Sequence, residues 1–486
     1  MLKQTQTDQL LNLINKAKNT EFGQEHNFSS IDSYETFRKQ VPLSAYEDMQ
    51  DDIERLKSGE ANILWPGRIH DFAVSAGTTG SGKHMPVAPE RMNSDRDFAR
   101  KIVFTYLKQH KHLTPFFGKQ LSLPGSVSWE TKGTHEYRIG EISGLLAIHA
   151  PLYLKPFQLA DPEKLVQLSF SEKFDTLLNK AVETDIRVIT AVPSWTLTLF
   201  QHALKKTGKE SIAEIWPNLS ILICGGVKLA NYRPHLETLC DPLKPAFIET
   251  YGASEGYFGY SDQMDRDDLK LMTDQQMFFE WIPLDAPGEP EESIVPTWEV
   301  EPDRNYQLVV SGNSGLWRYQ VKDVVRFTEV DPPRFEVKGR IQDMLDDFGE
   351  ATYAWEAERA LQQVSEQAGL GFTAFTIGAR LKSEEDIPRH CWFIQWNSVP
   401  DESELQWVRQ QLDTHLQEIN RHYAIRRESE ALGLPQLFPI SQDDINNFFK
   451  IKGKRPAQAK LPKILADPND LKLFLNEPDE NEANKA

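Results

Sequence analysis

The sequence contains few cysteines and no long apolar run. Its three cysteines, Cys224, Cys240 and Cys391, are odd in number and far apart, so neither a disulfide framework nor a CxxC metal site is expected. This cysteine usage favours the reducing cytoplasm. The longest apolar stretches, such as 221–224, fall far short of the roughly 18 residues that a membrane span needs. Residues 1–19 lack the continuous apolar segment of a secretory signal, so we expect neither a membrane span nor a leader.

Basic residues are scarce relative to acidic ones. The chain has 54 lysines and arginines against 72 aspartates and glutamates, which gives a formal net charge of −18. Because this excess repels a polyanion, a general nucleic-acid-binding function is not expected. Hydrophobic residues make up 40% of the 486 residues, which is enough to build cores. At roughly 100–200 residues per domain, the length favours more than one domain.

Two kinds of segment predict an α/β fold for most of the chain. From about residue 185, short apolar runs alternate with helical patterns, as expected of a parallel sheet flanked by helices. These segments are Ile186–Thr190, Pro193–Lys205, Leu219–Cys224 and Ala246–Thr250. Residues 306–311, 316–329 and 334–338 are rich in aromatic and β-branched side chains and predict an antiparallel, β-barrel-like region. We assign residues 1–338 to one large N-terminal domain.

The remaining residues, 339–486, predict a small C-terminal α+β domain. Helical patterns cover 353–368 and 402–421, and strand patterns lie near 373–380 and 391–396. The segment of about 148 residues lies within the normal size range of a domain.

A glycine-rich segment, Ser75-Ala-Gly-Thr-Thr-Gly-Ser-Gly-Lys83, follows an apolar run. Gly77 lets backbone N–H groups approach a phosphate, the hydroxyls of Ser75, Thr78 and Thr79 can donate to its oxygens, and Lys83 supplies positive charge. A flexible Gly/Ser linker is the alternative interpretation. Two consecutive threonines and a terminal lysine are unusual in such a linker, so we favour a phosphate-binding loop.

The loop differs from that of P-loop NTPases. Its Gly77-x4-Gly82-Lys83 spacing fits, but His84 replaces the magnesium-binding Ser or Thr. Pro86 also disfavours the helix that would have to follow directly. The same residues match the Ser-Gly-Thr-Thr-Gly-x-x-Lys loop of adenylate-forming enzymes, with Ala76 in the first motif position.

Two glycine-containing segments follow predicted strands. Gly225 and Gly226 end the strand 219–224, where a planar base could lie against the backbone; an ordinary strand-to-helix turn explains them equally well. Residues 246–256 then bring Tyr251, Gly252, Ser254 and Glu255 to the end of the next strand.

The second of these segments carries more chemistry than the first. Tyr251 can stack on a base, Ser254 can donate to a phosphate, and Glu255 can ligate Mg²⁺ through an oxygen. A tight turn with a solvated glutamate is the alternative, but such a turn does not explain why the segment contains Tyr251 and a second glycine, Gly256.

Asp323 stands in a strand that is otherwise apolar at alternate positions. A carboxylate that accepts two hydrogen bonds suits a ribose diol; the alternative is an ordinary edge-strand aspartate. The segment Lys338-Gly339-Arg340 follows at the predicted domain boundary, and we predict that Arg340 also binds the nucleotide.

Together these motifs resemble the adenylate-forming superfamily of acyl-CoA synthetases, peptide-synthetase adenylation domains and luciferases. More specifically, they resemble its auxin-responsive acyl-acid amido synthetase branch. The segments similar to that branch span nearly the whole chain and include 20–23, 41–48, 63–67, 316–325 and 458–463.

Two of these motifs depart from the family pattern. The family's Tyr-Arg-x-Gly-Asp is Tyr319-Gln320-Val321-Lys322-Asp323 here, which retains the ribose-binding aspartate but replaces the arginine and the glycine. The terminal Phe-Lys-x-Pro-Arg is Ala459-Lys460-Leu461-Pro462-Lys463, which retains a lysine.

The resemblance implies an enzyme that uses ATP and Mg²⁺ to adenylate a small carboxylic acid and then transfers the acyl group to an amine, such as an amino acid. It implies catalytic roles for Lys83, for Glu255 as the metal ligand, and for Lys460, with Lys454 as the competing candidate. The small domain would move about a hinge near Gly339–Asp343 between the two half-reactions. The alternatives are an acyl-CoA ligase or another adenylate-forming enzyme with a thiol acceptor, and a non-catalytic nucleotide-binding protein.

Overall fold

The computed structural model describes residues 1–75, 83–264, 266–286, 290–341, 344–345, 350, 352–380, 387–452, 461–465 and 467–475. It divides the chain into two compact units, Met1–Val337 and Lys338–Ala486. The boundary predicted from the sequence lies one residue later, between residues 338 and 339. Within the described ranges, none of the helices combines the length and the apolarity that a bilayer crossing requires.

The first unit begins with a helical segment and carries further helices between its strands. In chain order the helices are α1 (Leu2–Ala17), α2 (Glu21–Glu25), α3 (Tyr34–Gln40), α4 (Tyr46–Lys57), α5 (Pro89–His110), α6 (Ile142–Ile148), α7 (Pro162–Leu165), α8 (Phe170–Ala181), α9 (Pro193–Thr207), α10 (Ile212–Ile215), α11 (Arg233–Cys240) and α12 (Pro290–Ser293). Short 3₁₀ helices lie at Phe28–Ser30, Thr114–Phe117, Leu152–Phe157, Leu229–Asn231 and Thr297–Glu299.

The strands of the first unit form two sheets. In chain order they are β1 (Asp71–Ser75), β2 (Lys83–Val87), β3 (Lys119–Ser122), β4 (Val127–Lys132), β5 (His135–Gly140), β6 (Ile186–Ala191), β7 (Ile221–Gly225), β8 (Ala246–Ala253), β9 (Gly256–Tyr260), β10 (Leu269–Leu271), β11 (Met277–Pro283), β12 (Val295–Pro296), β13 (Asn305–Gly312), β14 (Leu316–Val330) and β15 (Pro333–Arg340). Among the described residues, the smaller sheet has the order β2-β1-β5-β4.

The larger sheet has the order β12-β11-β13-β14-β15-β10-β9-β8-β7-β6-β3. Strands β3, β6, β7 and β8 pair in parallel, and β9 is antiparallel to β8. The parallel and antiparallel regions predicted from the sequence are therefore joined in one hydrogen-bonded sheet. The predicted α/β class is confirmed.

Helices cover each half of this sheet through buried apolar faces. Phe174 of α8, Phe200 of α9 and Leu236 of α11 join Leu222 and Phe247 of the parallel strands in one core. On the antiparallel half, Leu10, Leu13 and Ile14 of α1 are buried at the spacing of one helical face. These cores hold the strand ends in fixed positions, which is the condition for a pre-organised site.

The second unit contains a three-stranded sheet covered by helices. Its elements are β16 (Met344–Leu345), β17 (Thr352–Tyr353), α13 (Ala354–Ala368), β18 (Phe372–Arg380), β19 (Arg389–Trp396), α14 (Glu402–Ile419), α15 (Arg421–Glu428), β20 (Gln436–Pro439), α16 (Gln442–Ile451) and α17 (Pro468–Leu475). Its sheet order is β18-β19-β20, and Leu361 of α13 and Leu412 of α14 pack in one core with Trp392 of β19.

The helix predicted over 402–421 ends earlier than expected. Asn420 leaves the helical conformation, with φ −121° and ψ 109°, and its side chain accepts a hydrogen bond from the N–H of Tyr423. Asn420 therefore caps a new helix, α15, and the apolar periodicity on its own did not reveal this break.

Candidate active site

The hairpin formed by β1 and β2 carries the glycine-rich loop at its tip. Ser75 and Lys83 are directly opposite each other in the antiparallel pair, and the loop residues Gly77, Thr78 and Thr79 between them lie outside the described residues. The ammonium of Lys83 lies 3.7 Å from a carboxylate oxygen of Glu47. Ser75 and Lys83 are the two predicted phosphate-binding residues of this segment that the structure describes, and they face each other at the base of the loop.

Residues at the start of α4 surround this lysine. Its ammonium lies 5.3 Å from the centre of the Tyr46 ring, and the Tyr46 hydroxyl accepts a hydrogen bond from the N–H of His84. A hydrogen bond from its own backbone amide, and then the positive charges of Lys83 and Lys322, hold the pKa of Glu47 below its ordinary value. The segment Tyr46–Glu47 therefore contacts the β1–β2 hairpin directly.

Tyr251 and Asp323 meet where β8 and β14 approach each other. The phenolic hydroxyl of Tyr251 donates a 2.6 Å hydrogen bond to Oδ2 of Asp323, and only 5% of Asp323 is exposed. The Tyr251 ring packs against Phe258 and Phe335, with centroids 5.1 and 5.7 Å away. Apolar packing on one side and a fixed hydroxyl on the other hold the tyrosine near the carboxyl end of a parallel strand.

A bulge in β14 sets the position of Asp323. Gln307 of β13 pairs with Val324 and Val309 pairs with Gln320, so Leu308 alone faces three residues, 321–323. Such bulges bend a strand and redirect its side chains. Gln320, which stands where the family motif has arginine, accepts a hydrogen bond from the side-chain amide of Gln307.

The turn after β8 carries Ser254 and Glu255, which are both buried. Arg91 of α5 fixes this turn, because its Nη1 donates to the carbonyl oxygens of Ser254 at 3.3 Å and Glu255 at 2.6 Å. Asp95, one turn further along α5, binds Nε of Arg91 through both carboxylate oxygens. Because α5 follows β2 directly, it connects the β1–β2 hairpin to the Tyr251–Glu255 segment.

Sequence reasoning missed Arg91. An arginine and an aspartate four residues apart on a predicted helix form a recognisable pair, but that spacing is equally common on solvated helix faces. Only the burial of Arg91, which is 2% exposed, and of Asp95, which is 5% exposed, distinguishes this pair from a surface one.

Local geometry explains why glycines occur at the ends of β7 and β8. A Cβ on Gly225 would lie 2.6 Å from the hydroxyl of Thr250 on the neighbouring strand, and Gly226 adopts φ +82°. A Cβ on Gly252 would lie 2.6 Å from the ring of Tyr257. Local packing therefore accounts for these glycines without a ligand, and their predicted contact with the nucleotide stays a prediction.

Two predicted site residues, Arg340 and Lys460, and the competing candidate Lys454 belong to the second unit. Arg340 is exposed at the end of β15. Lys460 and its competitor Lys454 lie outside the described residues. The roles of all three stay predictions.

The described part of the site combines four kinds of group suited to a nucleotide. Lys83 supplies a cation beside a loop, Asp323 a buried carboxylate, Tyr251 an aromatic ring and Glu255 a second acid. Tyr251 and Glu255 lie at or just after the carboxyl end of the parallel strand β8, which is the usual location of ligand sites in α/β folds. Lys83 lies on β2 of the smaller sheet, and Asp323 lies within the antiparallel strand β14.

Comparisons with known proteins identify the family of the chain. Family models described as the GH3 family N-terminal, central and C-terminal domains match residues 1–170, 270–340 and 355–469, which together span more than two thirds of the chain. The indole-3-acetic acid-amido synthetase GH3.4 of Arabidopsis thaliana is 23% identical over an alignment covering 95% of this chain and 89% of that protein. The probable indole-3-acetic acid-amido synthetase GH3.2 of Oryza sativa subsp. japonica is 24% identical over 93% and 87%.

Solved structures share the fold at lower identity. The GH3.15 acyl acid amido synthetase in complex with 2,4-DB superimposes with a TM-score of 0.79 at 18% identity, covering 98% of this chain and 94% of that one. A 2-hydroxyisobutyryl-CoA ligase in its postadenylation state gives a TM-score of 0.57 at 12% identity, covering 99% and 91%. The likeness extends over both units in sequence and fold, and the chain belongs to the GH3 family.

Proposed function

We propose that this protein is an ATP-dependent ligase that adenylates a carboxylic acid and then transfers the acyl group to the amino group of an amino acid. The observation that carries the proposal is the hydrogen bond from Tyr251 to Asp323. It joins an aromatic ring that can stack on adenine to a buried carboxylate that can accept the ribose hydroxyls. Membership of the GH3 family, with relatives named amido synthetases, supports the choice of amide formation.

The first half-reaction needs charge neutralisation more than covalent catalysis by the protein. An oxygen of the acid's carboxylate forms a bond to the α-phosphorus of ATP, and the bond from that phosphorus to the pyrophosphate oxygen breaks. Lys83, at the base of the glycine-rich loop, would stabilise the negative charge of the phosphates during this step. Asp323 and Tyr251 would hold the nucleoside in place.

In the second half-reaction the amine nitrogen bonds to the acyl carbon, and the bond from that carbon to the AMP oxygen breaks. The amine loses a proton in forming the amide. Activation is required because a carboxylate is a poor electrophile, whereas AMP is a good leaving group.

Glu255 is the residue that fits a magnesium ion. Proteins usually hold Mg²⁺ through one or two carboxylates, together with waters and substrate phosphates. Over the part of the chain that the structure describes, no group of three or more potential metal-ligating side chains occurs, so a site completed by ATP phosphates suits a single carboxylate. The ion, when bound, would neutralise phosphate charge, and Arg91 keeps the backbone of Glu255 fixed for that purpose.

The test of adenylation is exchange of labelled pyrophosphate into ATP, screened over aromatic, indolic and aliphatic acids. Acid-dependent exchange is the expected result, and indolic acids belong in the panel because several relatives are named for indole-3-acetic acid. Absence of exchange with every acid would favour the non-catalytic nucleotide-binding alternative.

The acceptor is tested separately by product mass. The enzyme, ATP and an active acid are incubated with a panel of amino acids and, in parallel, with coenzyme A. Amide products are expected; a thioester with coenzyme A and no amide would favour the acyl-CoA ligase alternative.

We also propose a cytoplasmic location. Cys224, Cys240 and Cys391 are all buried and none forms a disulfide, which suits a reducing compartment.

A further inference from the structure

Lys322 occupies an unusual backbone conformation beside Asp323. It is the middle residue of the bulge in β14 at which Leu308 faces three residues of the opposite strand. Its φ is +67°, in the left-handed region that glycine adopts freely and that other residues adopt at a free-energy cost. The family motif has glycine at this position, so the present chain accepts strain that the motif avoids.

No contact explains that strain. Among the described residues, none forms a hydrogen bond or an ion pair with the Lys322 ammonium, and Glu47 is the group that its charge influences. The side chain therefore does not stabilise the bulge. Residues held in strained backbone conformations are concentrated at functional sites, and this one lies next to the residue that we assign to the ribose.

The segment before α4 runs alongside β14 and brings Glu47 towards Lys322. The N–H of Ser44 donates to the carbonyl of Arg318 at 3.0 Å, and the N–H of Gln320 donates to the carbonyl of Ser44 at 2.9 Å. Ser44 thus forms a parallel bridge with Tyr319. Three residues further along the two segments stand Glu47 and Lys322.

Glu47 interacts with both Lys322 and Lys83, the lysine at the base of the glycine-rich loop. Its carboxylate lies 3.7 Å from the Lys83 ammonium, and both lysines act on it electrostatically. The Glu47 side chain is 66% exposed, so it can turn into solvent without disturbing a packed core. This displaceable carboxylate therefore contacts one cation at the base of the loop and is influenced by a second cation, which is adjacent in sequence to the residue that we assign to the ribose.

We propose that Lys322 is a second cation for the phosphates of the bound nucleotide, and that Glu47 balances Lys322 and Lys83 until ATP replaces it. This inference rests on the proposed function, because it takes Asp323 as the ribose ligand. The phosphates are attached to the ribose, so a long cationic side chain one residue from that ligand can reach them. A lysine suits this task as a flexible point charge.

The test measures binding of adenosine, AMP and ATP to the full-length protein by isothermal titration calorimetry, without any acid or amine. The variant Lys322→Gly removes the charge and relieves the strain. We expect its affinity for AMP and ATP to fall about tenfold, its affinity for adenosine to stay within about twofold of wild type, and its melting temperature to rise. Lys322→Arg should keep the phosphate affinity.

Lys111→Gly is the matched control, because Lys111 caps the C-terminal end of α5 with φ +58°. It should raise the melting temperature in the same way and leave all three affinities unchanged. Glu47→Gln should strengthen ATP binding severalfold in the wild-type background. The gain should be smaller in the Lys322→Gly background, because Glu47 and Lys322 interact and their effects on binding are then not additive.

Three outcomes would overturn the inference. Unchanged ATP and AMP affinity in Lys322→Gly would remove Lys322 from the phosphate site, and an equal loss of adenosine affinity would assign it a structural role instead. Both results leave the proposed function standing if wild-type pyrophosphate exchange is intact. A wild-type protein that binds neither ATP nor AMP would refute the proposed function and this inference together.

Discussion

The hydroxyl of Tyr251 donates a 2.6 Å hydrogen bond to the carboxylate of Asp323, across 72 positions of sequence. This contact connects the last parallel strand of the large sheet, β8, to the bulged strand β14. Because Asp323 is buried, its carboxylate needs hydrogen-bond partners, and Tyr251 supplies one of them. The pair is therefore both a structural link and the centre of the proposed nucleotide site.

The first prediction concerns this pair. A hydrogen bond to a charged group contributes about 1.5–3 kcal/mol, so Asp323→Ala should weaken binding of ATP and adenosine about 10- to 100-fold and leave the fold intact. Tyr251→Phe keeps the carboxylate but frees its orientation, so a smaller loss of about three- to tenfold is expected. Calorimetric titration measures both.

Asp285→Ala provides the control for this prediction. Asp285 is exposed and pairs with Arg304 at the surface, so its removal should leave nucleotide affinity unchanged. A folded Asp323→Ala protein with wild-type affinity would show that this aspartate does not bind the ribose.

The second prediction concerns Glu255. Glu255→Gln keeps the side-chain volume and removes the charge that we assign to Mg²⁺, so adenylation should fall on the order of tenfold to hundredfold, while ATP binding should change less. Raising the Mg²⁺ concentration should recover part of the rate. Pyrophosphate exchange across a Mg²⁺ titration measures this, and an undiminished rate at every concentration would contradict the assignment.

The third prediction separates the stabilising and positioning roles of Arg91. Arg91→Met leaves Asp95 buried without its cation, which should reduce the free energy of unfolding by about 3–5 kcal/mol. The double variant Arg91→Met, Asp95→Leu removes both charges, so most of that stability should return. Adenylation should stay reduced in the double variant, because the carbonyls of Ser254 and Glu255 lose their donor.

Arg100→Met is the comparison for Arg91, since Arg100 lies on the same helix with an exposed side chain paired to Asp97. It should change neither stability nor adenylation appreciably. Thermal unfolding together with pyrophosphate exchange measures both properties. A double variant with restored stability and full adenylation would show that Arg91 serves the fold alone.

Much of the fold could be predicted from local pattern. The apolar runs at 186–190 and 246–250 are too short for helices and alternate with helical segments, so the parallel strands follow from sequence alone. The end of α14 could not be predicted in the same way. Asn420 has a hydrogen-bonding side chain that caps α15, and this local choice is invisible to an apolar periodicity that continues across it.

Residue chemistry predicted some residues of the candidate site. Residues whose role depends on contacts with distant parts of the sequence were missed. Tyr251 stands out as an aromatic residue at the end of a predicted parallel strand, and Asp323 as an acid in a strand that is otherwise apolar at alternate positions; both suit a nucleotide. The conformation of Lys322 could not be foreseen, because it depends on how β13 pairs with β14. Arg91 was missed because its partners, Ser254 and Glu255, lie more than 160 positions away.

The fourth prediction is a pH dependence of stability in the second unit. Burial raises the pKa of Glu356 from 4.5 to about 7, although the Tyr353 N–H and the Asn420 side-chain amide both donate to its carboxylate. The folded state then holds a proton that the unfolded chain releases near pH 4.5. The resulting stability is fully present below pH 4.5, declines as the pH rises, and is lost above about pH 7; it is on the order of 3 kcal/mol.

Glu356→Gln removes this titration and keeps an oxygen that can accept both hydrogen bonds. Its melting temperature should therefore exceed that of wild type at pH 8 and approach it near pH 4. Glu366→Gln, an exposed change on the same helix, should leave the difference between the two pH values as in wild type. Thermal unfolding of the full chain, with hydrogen exchange of α13, measures the effect; an identical pH response of Glu356→Gln and wild type would contradict it.

The fifth prediction concerns Lys460, which the resemblance to adenylate-forming enzymes assigns to the adenylation step. A lysine on a domain that moves between the half-reactions can stabilise the charge of the phosphates in the first and leave before the amine arrives. Lys460→Ala should therefore slow acyl-adenylate formation by about 100-fold or more. Amide formation from a chemically supplied acyl-adenylate should continue at nearly the wild-type rate, because that step needs no pyrophosphate to leave.

Lys454→Ala is the matched variant for Lys460→Ala, since it removes the same charge from the same basic segment, 450–463. Single-turnover measurements of both half-reactions distinguish the two lysines. Loss of adenylation in Lys454→Ala alone would transfer the role to that residue, and full adenylation in both variants would remove it from this segment. Loss of both half-reactions in Lys460→Ala would indicate damage to the fold, because a residue that acts on the leaving pyrophosphate has no part in the attack of an amine on an adenylate already made.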